Sequence, residues 1–321
     1  DYSDGGCPSL LLEPTATNFI TYSEDFSNSS WDKAGNNVVT LNNAISPDGT
    51  LNASTVTGLD GTGTNDLYTQ PTFNTSNKTV TYSVYLKGSG TLRINVSNNI
   101  DDNSSKTLTL TNNWEKYFIT YSFNATVSTQ MVCNLDDLGA TVTTYEVWGA
   151  QFEENSYATS YIKTIGTAQT RSADTANGAG NASTFNDSEG VLMYQIKPIS
   201  LDGTHKRITL SDGTSNNRVI MGFDNNNNVI ATVYDGSNQA ILGGNYIGKD
   251  EMSKYALKYK ASDFALWLNG FEVDSETSGG VTYPIGTLNQ FRFEDGNGGL
   301  DFYGSAKQIQ YFDSALNDSD L

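Results

Sequence analysis

Hydrophobic and polar residues alternate with a period of two along much of this chain. In KTVTYSVYLK (78–87), Val80, Tyr82, Val84 and Leu86 fall on one face, and Thr81, Ser83, Tyr85 and Lys87 on the other. Gly88-Ser89-Gly90 predicts a turn. Leu92, Ile94 and Val96 then resume the alternation, with Arg93 and Asn95 opposite. Asn112-Asn113 predicts a second turn into WEKYFITYSF (114–123), and TTYEVWGAQF (143–152) is the last clear strand of the first half. Between 164 and 189 the pattern lapses into Gly, Ala, Ser, Thr and Asn, which predicts a boundary. Strands resume at 190–198, 206–210, 216–223, 229–234, 254–260, 290–293 and 308–312. Asn269-Gly270 is a hairpin signal joining FALWL to FEVDS. No long stretch carries a 3.6-residue period, and no repeat of fixed length recurs. The pattern reads as all-β, two tandem β-sandwiches: 1–165, a linker or edge segment at 166–188, and 189–321.

Composition narrows the function. The 321 residues include 36 acidic and 18 basic side chains, for a net charge of -18. That balance argues against nucleic-acid binding, which rests on Lys and Arg. One His and two Cys leave no zinc cluster, haem site or disulfide framework. No apolar run is long enough to cross a bilayer, so membrane insertion is not expected. At 37% hydrophobic and 11% aromatic the chain can form cores. Acidic loops keep exposed strands soluble. The net negative charge predicts contacts with an acidic partner through aromatic faces and neutral amides more than through charge. The chain opens without Met or an apolar leader and reads as a processed product or a fragment. Its last residues, 315–321, read as the start of a short helix.

Two resemblances follow. DYSDGGCPSLLLEPTATNFITYSEDFSNSSW, SPDGT, VTYSVYLKGSG, NWEKYFITYSF and VWGAQFEENSYATSYIKT occur in order over residues 1–170. The series resembles a carbohydrate-binding-type jelly roll of tailed-phage virion proteins, of the head-spike or tail-fibre kind. It is distantly similar to the family-four and family-nine carbohydrate-binding modules. SKYALKYKASDFALWLNGFEVDS and FYGSAKQIQYFDSALNDSDL, within 189–321, look like a laminin-G or concanavalin-A-like lectin sandwich. The resemblances imply a virion-surface or extracellular protein that presents glycan-binding folds, as a homo-oligomer or within a virion assembly. In related jelly rolls a structural Ca2+ joins the first strand region to the last. Here that implies Glu24, Asp25 and Glu153 as ligands.

Sugar binding needs aromatic faces flanked by hydrogen-bonding side chains. The first half offers Tyr85, Arg93 and Asn95 opposite the apolar stripe, with Tyr117 and Gln151 as additions. The second half offers Trp267 opposite Phe264, Leu266 and Leu268, Arg292 opposite Phe291 and Phe293, and Tyr303. Trp31, Trp114 and Trp148 are assigned to packing. Hard oxygen ligands for calcium also abound in loops, at Asp60, Asp66, Asp101, Asp102, Asp136, Asp137, Asp224, Asp295 and Asp301. Glu272-Val273-Asp274-Ser275-Glu276 resembles the E-x-D-x-E catalytic strand of laminarinase-like hydrolases. Alternation would put its three carboxylates on one face, although Ser275 stands where that motif prefers an apolar residue. His205, the single His, has no G-x-S-x-G elbow near it. Cys7 and Cys133 read as a disulfide or as a free buried pair. The resulting expectation is a non-enzymatic surface adhesin for polysaccharide. The alternatives are a structural spacer or an accessory module of a secreted bacterial polysaccharide-degrading enzyme.

Overall fold

A computed structural model describes residues 8–246 and 251–321. It is all-β: antiparallel strands, with a single 3-10 turn at Asp318–Asp320 as the only helical element among the described residues. Two compact units emerge. One is Thr15–Ser172. The other joins residues 8–14 to Ala173–Leu321.

The Thr15–Ser172 unit is a sandwich of two five-stranded sheets. One runs in the order Glu115–Ser122, Thr79–Gly88, Thr144–Glu153, Ala53–Thr57, Val38–Ala44, and is called the Trp148 sheet below. The other runs Trp31–Lys33, Leu67–Thr69, Val132–Asp136, Gly90–Ser97, Asn103–Leu110, and is called the Arg93 sheet. Alternation sends Val80, Tyr82, Val84 and Leu86 inward against Leu92, Ile94, Val96 and Leu135. Trp31 lies in this core, with its indole N–H donated to the Tyr22 carbonyl at 2.8 Å. Cys133 is buried there as a free thiol. Cys7 falls outside the described residues, and with it the pairing considered above.

The second unit is a sandwich of two six-stranded sheets. The Trp267 sheet runs Leu10–Leu12, Gly304–Phe312, Glu189–Pro198, Ser253–Lys260, Phe264–Leu268, Phe271–Glu276. The Arg207 sheet runs Asn177–Ala179, Gln290–Arg292, Lys206–Ser211, Asn217–Phe223, Val229–Asp235, Asn238–Gly244. The Asn269-Gly270 hairpin forms as the sequence predicts, with both residues at positive φ, 52° and 83°. Only residues tolerant of left-handed backbone suit that turn.

The expected division at 1–165, 166–188 and 189–321 is corrected. Leu10–Leu12 pairs with Gly304–Ala306, which places the first strand in the second sandwich. Leu12 needs apolar cover, and it finds it in the core of the second unit. The 166–188 segment is divided as well. Gln169–Arg171 pairs with Ala16–Asn18 in the first unit. Asn177–Ala179 edges the Arg207 sheet, and Phe185 joins its core. A fragment starting at residue 189 therefore loses one edge strand from each sheet. It is expected to aggregate through the exposed edges, whereas 15–172 is expected to unfold as a cooperative domain. Size-exclusion chromatography and calorimetry read both outcomes. A monodisperse 189–321 fragment as stable as the whole chain would show that the borrowed strands contribute nothing.

Candidate functional site

On the Arg93 sheet, cross-strand register fixes which polar side chains share the outward face. Asn134 stands opposite both Tyr68 and Asn95, Asp136 opposite Arg93, and Asp32 opposite Tyr68. Directly opposed residues lie on the same face. Arg93 Nε lies 2.7 Å from both carboxylate oxygens of Asp136, which is nearly buried. Asp66 joins the group. Burial raises its pKa, Asp136 adds to the effect, and Asn134 opposes it through a hydrogen bond. Asn134 Oδ1 and Asp66 Oδ1 have no partner within the protein. The result is a ladder of one aromatic ring, a guanidinium, two amides and carboxylates on one sheet face. Two of the expected residues, Arg93 and Asn95, belong to it. Tyr68 carries little sequence signal, because Leu67–Thr69 is too short for its alternation to stand out, and Asn134, on Val132–Asp136, is set apart by no motif.

Tyr85 belongs to the other sheet and does not join this ladder. It packs edge-on to Trp148, with ring centroids 5.4 Å apart, and Trp148 packs on Tyr161 at 4.5 Å. Lys116 Nζ stands over the Tyr85 ring. Trp148 is thus a packing residue, as expected, but on the outward face rather than in the core. Tyr117 is corrected: it stands opposite Val84 and packs against the core, with its hydroxyl donated to the Thr109 carbonyl.

Gln151 and Glu153 are also corrected. Both are fully buried, because residues 155–162 form a strap over the outward face of the Trp148 sheet. Glu153 Oε1 accepts from Gln151 Nε2 and the Thr159 amide; Oε2 accepts from Asn155 Nδ2 and Thr159 Oγ1. Gln151 Oε1 accepts from the Ile162 amide at 2.7 Å. No lone pair of Glu153 is left for a metal or a sugar.

Glu24 and Asp25 line an open recess of about 260 Å³ with Tyr22, Asn52 and Lys163. Glu24 holds Lys163 at 2.7 Å and accepts from the Tyr161 hydroxyl at 3.1 Å. Burial pushes the Tyr161 phenol well above its ordinary value, so it stays neutral and donates. Asp25 Oδ1 accepts from the Ser27 amide and hydroxyl and from the Asn28 amide. Among the described residues no three carboxylate, His or Cys groups gather as a metal seat. Glu24, Asp25 and Glu153 are not brought together as one such group.

In the second sandwich the three expected ligand residues are separated. Trp267 sits on the outward face of its sheet, in register with Ala256 and Glu272, and its indole N–H is without a partner. Beside it on the same sheet, Met193, Gln195, Lys254, Gln308 and Gln310 line a shallow depression of about 110 Å³. Arg292 lies on the outward face of the other sheet and pairs with Glu294 at 3.0 Å. Tyr303 packs against the core, and burial raises its pKa, with Asp301 adding to the effect.

The E-x-D-x-E strand does not present three carboxylates to one face. A bulge between Leu266 and Trp267 sets Glu272 opposite Trp267 but Asp274 and Glu276 opposite Leu266 and Phe264. An extra residue in one strand reverses the alternation beyond it. Asp274 accepts from the Gly243 amide, and Glu276 from the Ser278 amide and hydroxyl.

No protein-family model matches the chain, and no curated sequence matches it. Several solved structures share part of the architecture. The Ruminococcus gnavus IT-sialidase CBM40 bound to alpha2,3 sialyllactose is 17% identical, with a TM-score of 0.38 over 46% of this chain and 91% of that one. The CBM22-1 xylan-binding domain from Paenibacillus barcinonensis Xyn10C is 17% identical, with a TM-score of 0.33 over 48% and 98%. The enzymatically active domain of bacteriophage CBA120 tailspike protein 4 is 10% identical, with a TM-score of 0.35 over 42% and 21%. These neighbours are carbohydrate-binding modules and a phage tailspike domain. At such scores the likeness assigns no ligand to this chain.

Proposed function

We propose that this chain is a non-catalytic carbohydrate-binding protein whose first sandwich holds glycan on the outward face of the Arg93 sheet. The observation that carries this reading is the Tyr68–Asn134–Asn95 row with Arg93 beside it. Tyr68 offers a ring face for sugar C–H groups, and the two amides offer paired donors and acceptors for vicinal hydroxyls. The unpartnered Asn134 Oδ1 favours a ligand hydroxyl, since an unmet acceptor costs free energy. The non-catalytic part of the proposal is supported by the bulge that divides Glu272 from Asp274 and Glu276. The finer setting is proposed from the sequence resemblance: a virion-surface or extracellular adhesin, displayed in several copies so that weak sites add by avidity.

Glycan arrays and polysaccharide pull-downs on the whole chain test the proposal. Asn134→Ala and Tyr68→Ala are each expected to weaken the retained glycan at least tenfold while leaving the thermal midpoint near that of the parent. Blank arrays for both single and multimerised protein would overturn it, and so would binding indifferent to both substitutions.

A further inference from the structure

The arginines of this acidic chain are Arg93, Arg171, Arg207, Arg218 and Arg292. Three of the five come from different strands of the Arg207 sheet and share its outward face. Arg207 stands opposite Gly222, Arg218 opposite Ser211 and Tyr234, and Arg292 opposite Thr209. Arg292 is neutralised by Glu294 at 3.0 Å. Arg207 and Arg218 instead line a recess of about 220 Å³, with Ile220, Thr232, Tyr234, Asn238, Asp295 and Leu300.

The two guanidinium groups are held in place but incompletely used. Arg207 donates through Nη1 to the Phe223 carbonyl at 2.9 Å and through Nη2 to His205 Nδ1 at 3.0 Å. Arg218 donates through Nη1 to the Asp295 carbonyl at 2.8 Å and lies over the Tyr234 ring at 5.9 Å. Its Nε is buried and has no partner. A guanidinium has five N–H donors, so both retain unspent ones. The nearest carboxylates engage them only loosely. Asp295 Oδ2 makes a long ion pair with Arg218 Nη1, at 3.8 Å. Asp224 spends its oxygens on the Asn226 and Asn228 amides and on Asn228 Nδ2. Burial lowers the Arg207 pKa, and the Arg218 charge adds to that against Asp224 and Asp295. Two cations that line one recess favour an entering anion.

The rest of the lining describes what carries the anion. Ile220 and Leu300 are apolar, Tyr234 presents an aromatic body, and Thr232 and Asn238 offer hydroxyl partners. This combination suits a pyranose more than a bare ion. The volume has room for one ring. We propose that the recess between Arg207 and Arg218 binds a carboxylate-bearing sugar residue of the uronic-acid class, with the carboxylate on the two guanidiniums. The overall charge of -18 pointed toward neutral contacts. Three strands converging on one face reverse that locally, because a short-range fork acts within a Debye length. The site rests on the second sandwich alone, so its failure and that of the Asn134 platform are read separately.

His205, the single histidine, touches Arg207 and serves as a reporter in the unaltered protein. The whole chain is titrated with a uronic-acid oligosaccharide, with its carboxyl-reduced neutral form, and with acetate and phosphate. Binding is read by calorimetry and by the His205 ring resonances. A saturable His205 shift with the uronate oligosaccharide is expected, at least tenfold weaker for the reduced form. Arg218→Ala is expected to lose at least tenfold, and Arg218→Lys to recover little of it, since an ammonium cannot form the fork. Asn238→Ala, at an exposed position, gives a milder loss and covers the case in which Arg218→Ala does not fold. The proposal is overturned if the uronate gives no shift, if the reduced form binds as well, or if acetate and phosphate bind as tightly as the uronate, which means an adventitious ion only.

Discussion

Asp137→Ala is expected to lower the unfolding free energy by about 3–5 kcal/mol, one of the largest losses available to a polar substitution in this chain. Asp137 is fully buried at the end of a strand that the Gly58–Asn65 loop wraps around. Its Oδ1 accepts from the Gly63 and Asn65 amides at 2.8 and 3.2 Å. Its Oδ2 accepts from the Asp60 and Gly61 amides and from Asn65 Nδ2, at 3.0, 3.1 and 2.8 Å. Alanine would leave those donors buried without an acceptor, each costing roughly 1–3 kcal/mol before the loop relaxes toward water. Asp137→Asn keeps one acceptor but turns an amide against donors, so it is expected to fall between. Burial alone would raise the Asp137 pKa. Asn65 Nδ2 and the amides of Asp60, Asn65 and Gly63 outweigh it and hold the carboxyl well below its ordinary 3.8. A depressed folded pKa contributes stability above the unfolded value and loses it as pH falls through the folded one. The gap between parent and Asp137→Ala should therefore be full above about pH 5 and narrow in acid below the ordinary carboxylate range. Urea midpoints at several pH values measure this. Equal midpoints for parent and variant would show that the amide cradle adds no stability.

Glu153→Ala is expected to cost a similar amount, about 3–4 kcal/mol, and to loosen the strap over the Trp148 sheet. The carboxylate collects four donors, two of them from Thr159, while Gln151 takes the Ile162 amide. Lys116 Nζ adds a bond to the Thr159 carbonyl. Without Glu153 these groups lose their common acceptor, and Tyr161 is released from Trp148. Tryptophan emission should shift to the red, and the same substitution in a Trp148→Phe background should show no such shift. Denaturant unfolding of both proteins gives the stability term. Unchanged emission and midpoint together would mean that the strap is held by other contacts.

These two residues show where sequence reasoning stops. Asp137 and Glu153 both read as loop or strand-end carboxylates open to a cation. Their surroundings consume them, because folding brings amides from 60–65 and 155–159 to a single carboxylate each. Nothing in the local pattern distinguishes a carboxylate that meets water from one that meets five N–H groups. Tyr117 and the E-x-D-x-E strand fail for a different reason. Tyr117 shares the inward face with Ile119, because its strand pairs in unbroken register with Val84 and Tyr82, and which strand pairs with which is not visible locally; nor is a bulge at Val273 visible in residue types.

The sequence by itself determined the all-β class, the strands at 78–87, 114–123 and 254–260, the Asn269-Gly270 turn, and the outward position of Arg93, Asn95, Trp267 and Arg292. These are local consequences of a two-residue period and of backbone tolerance for positive φ. The tertiary structure alone decided that Leu10–Leu12 closes the second sandwich, that a strap buries Gln151 and Glu153, and that Tyr68 and Asn134 complete the Arg93 row. It also brought Arg207 and Arg218 together from neighbouring strands. Those outcomes depend on which strands become neighbours. Sheet order is set by the burial of the whole apolar surface, and no single segment encodes it.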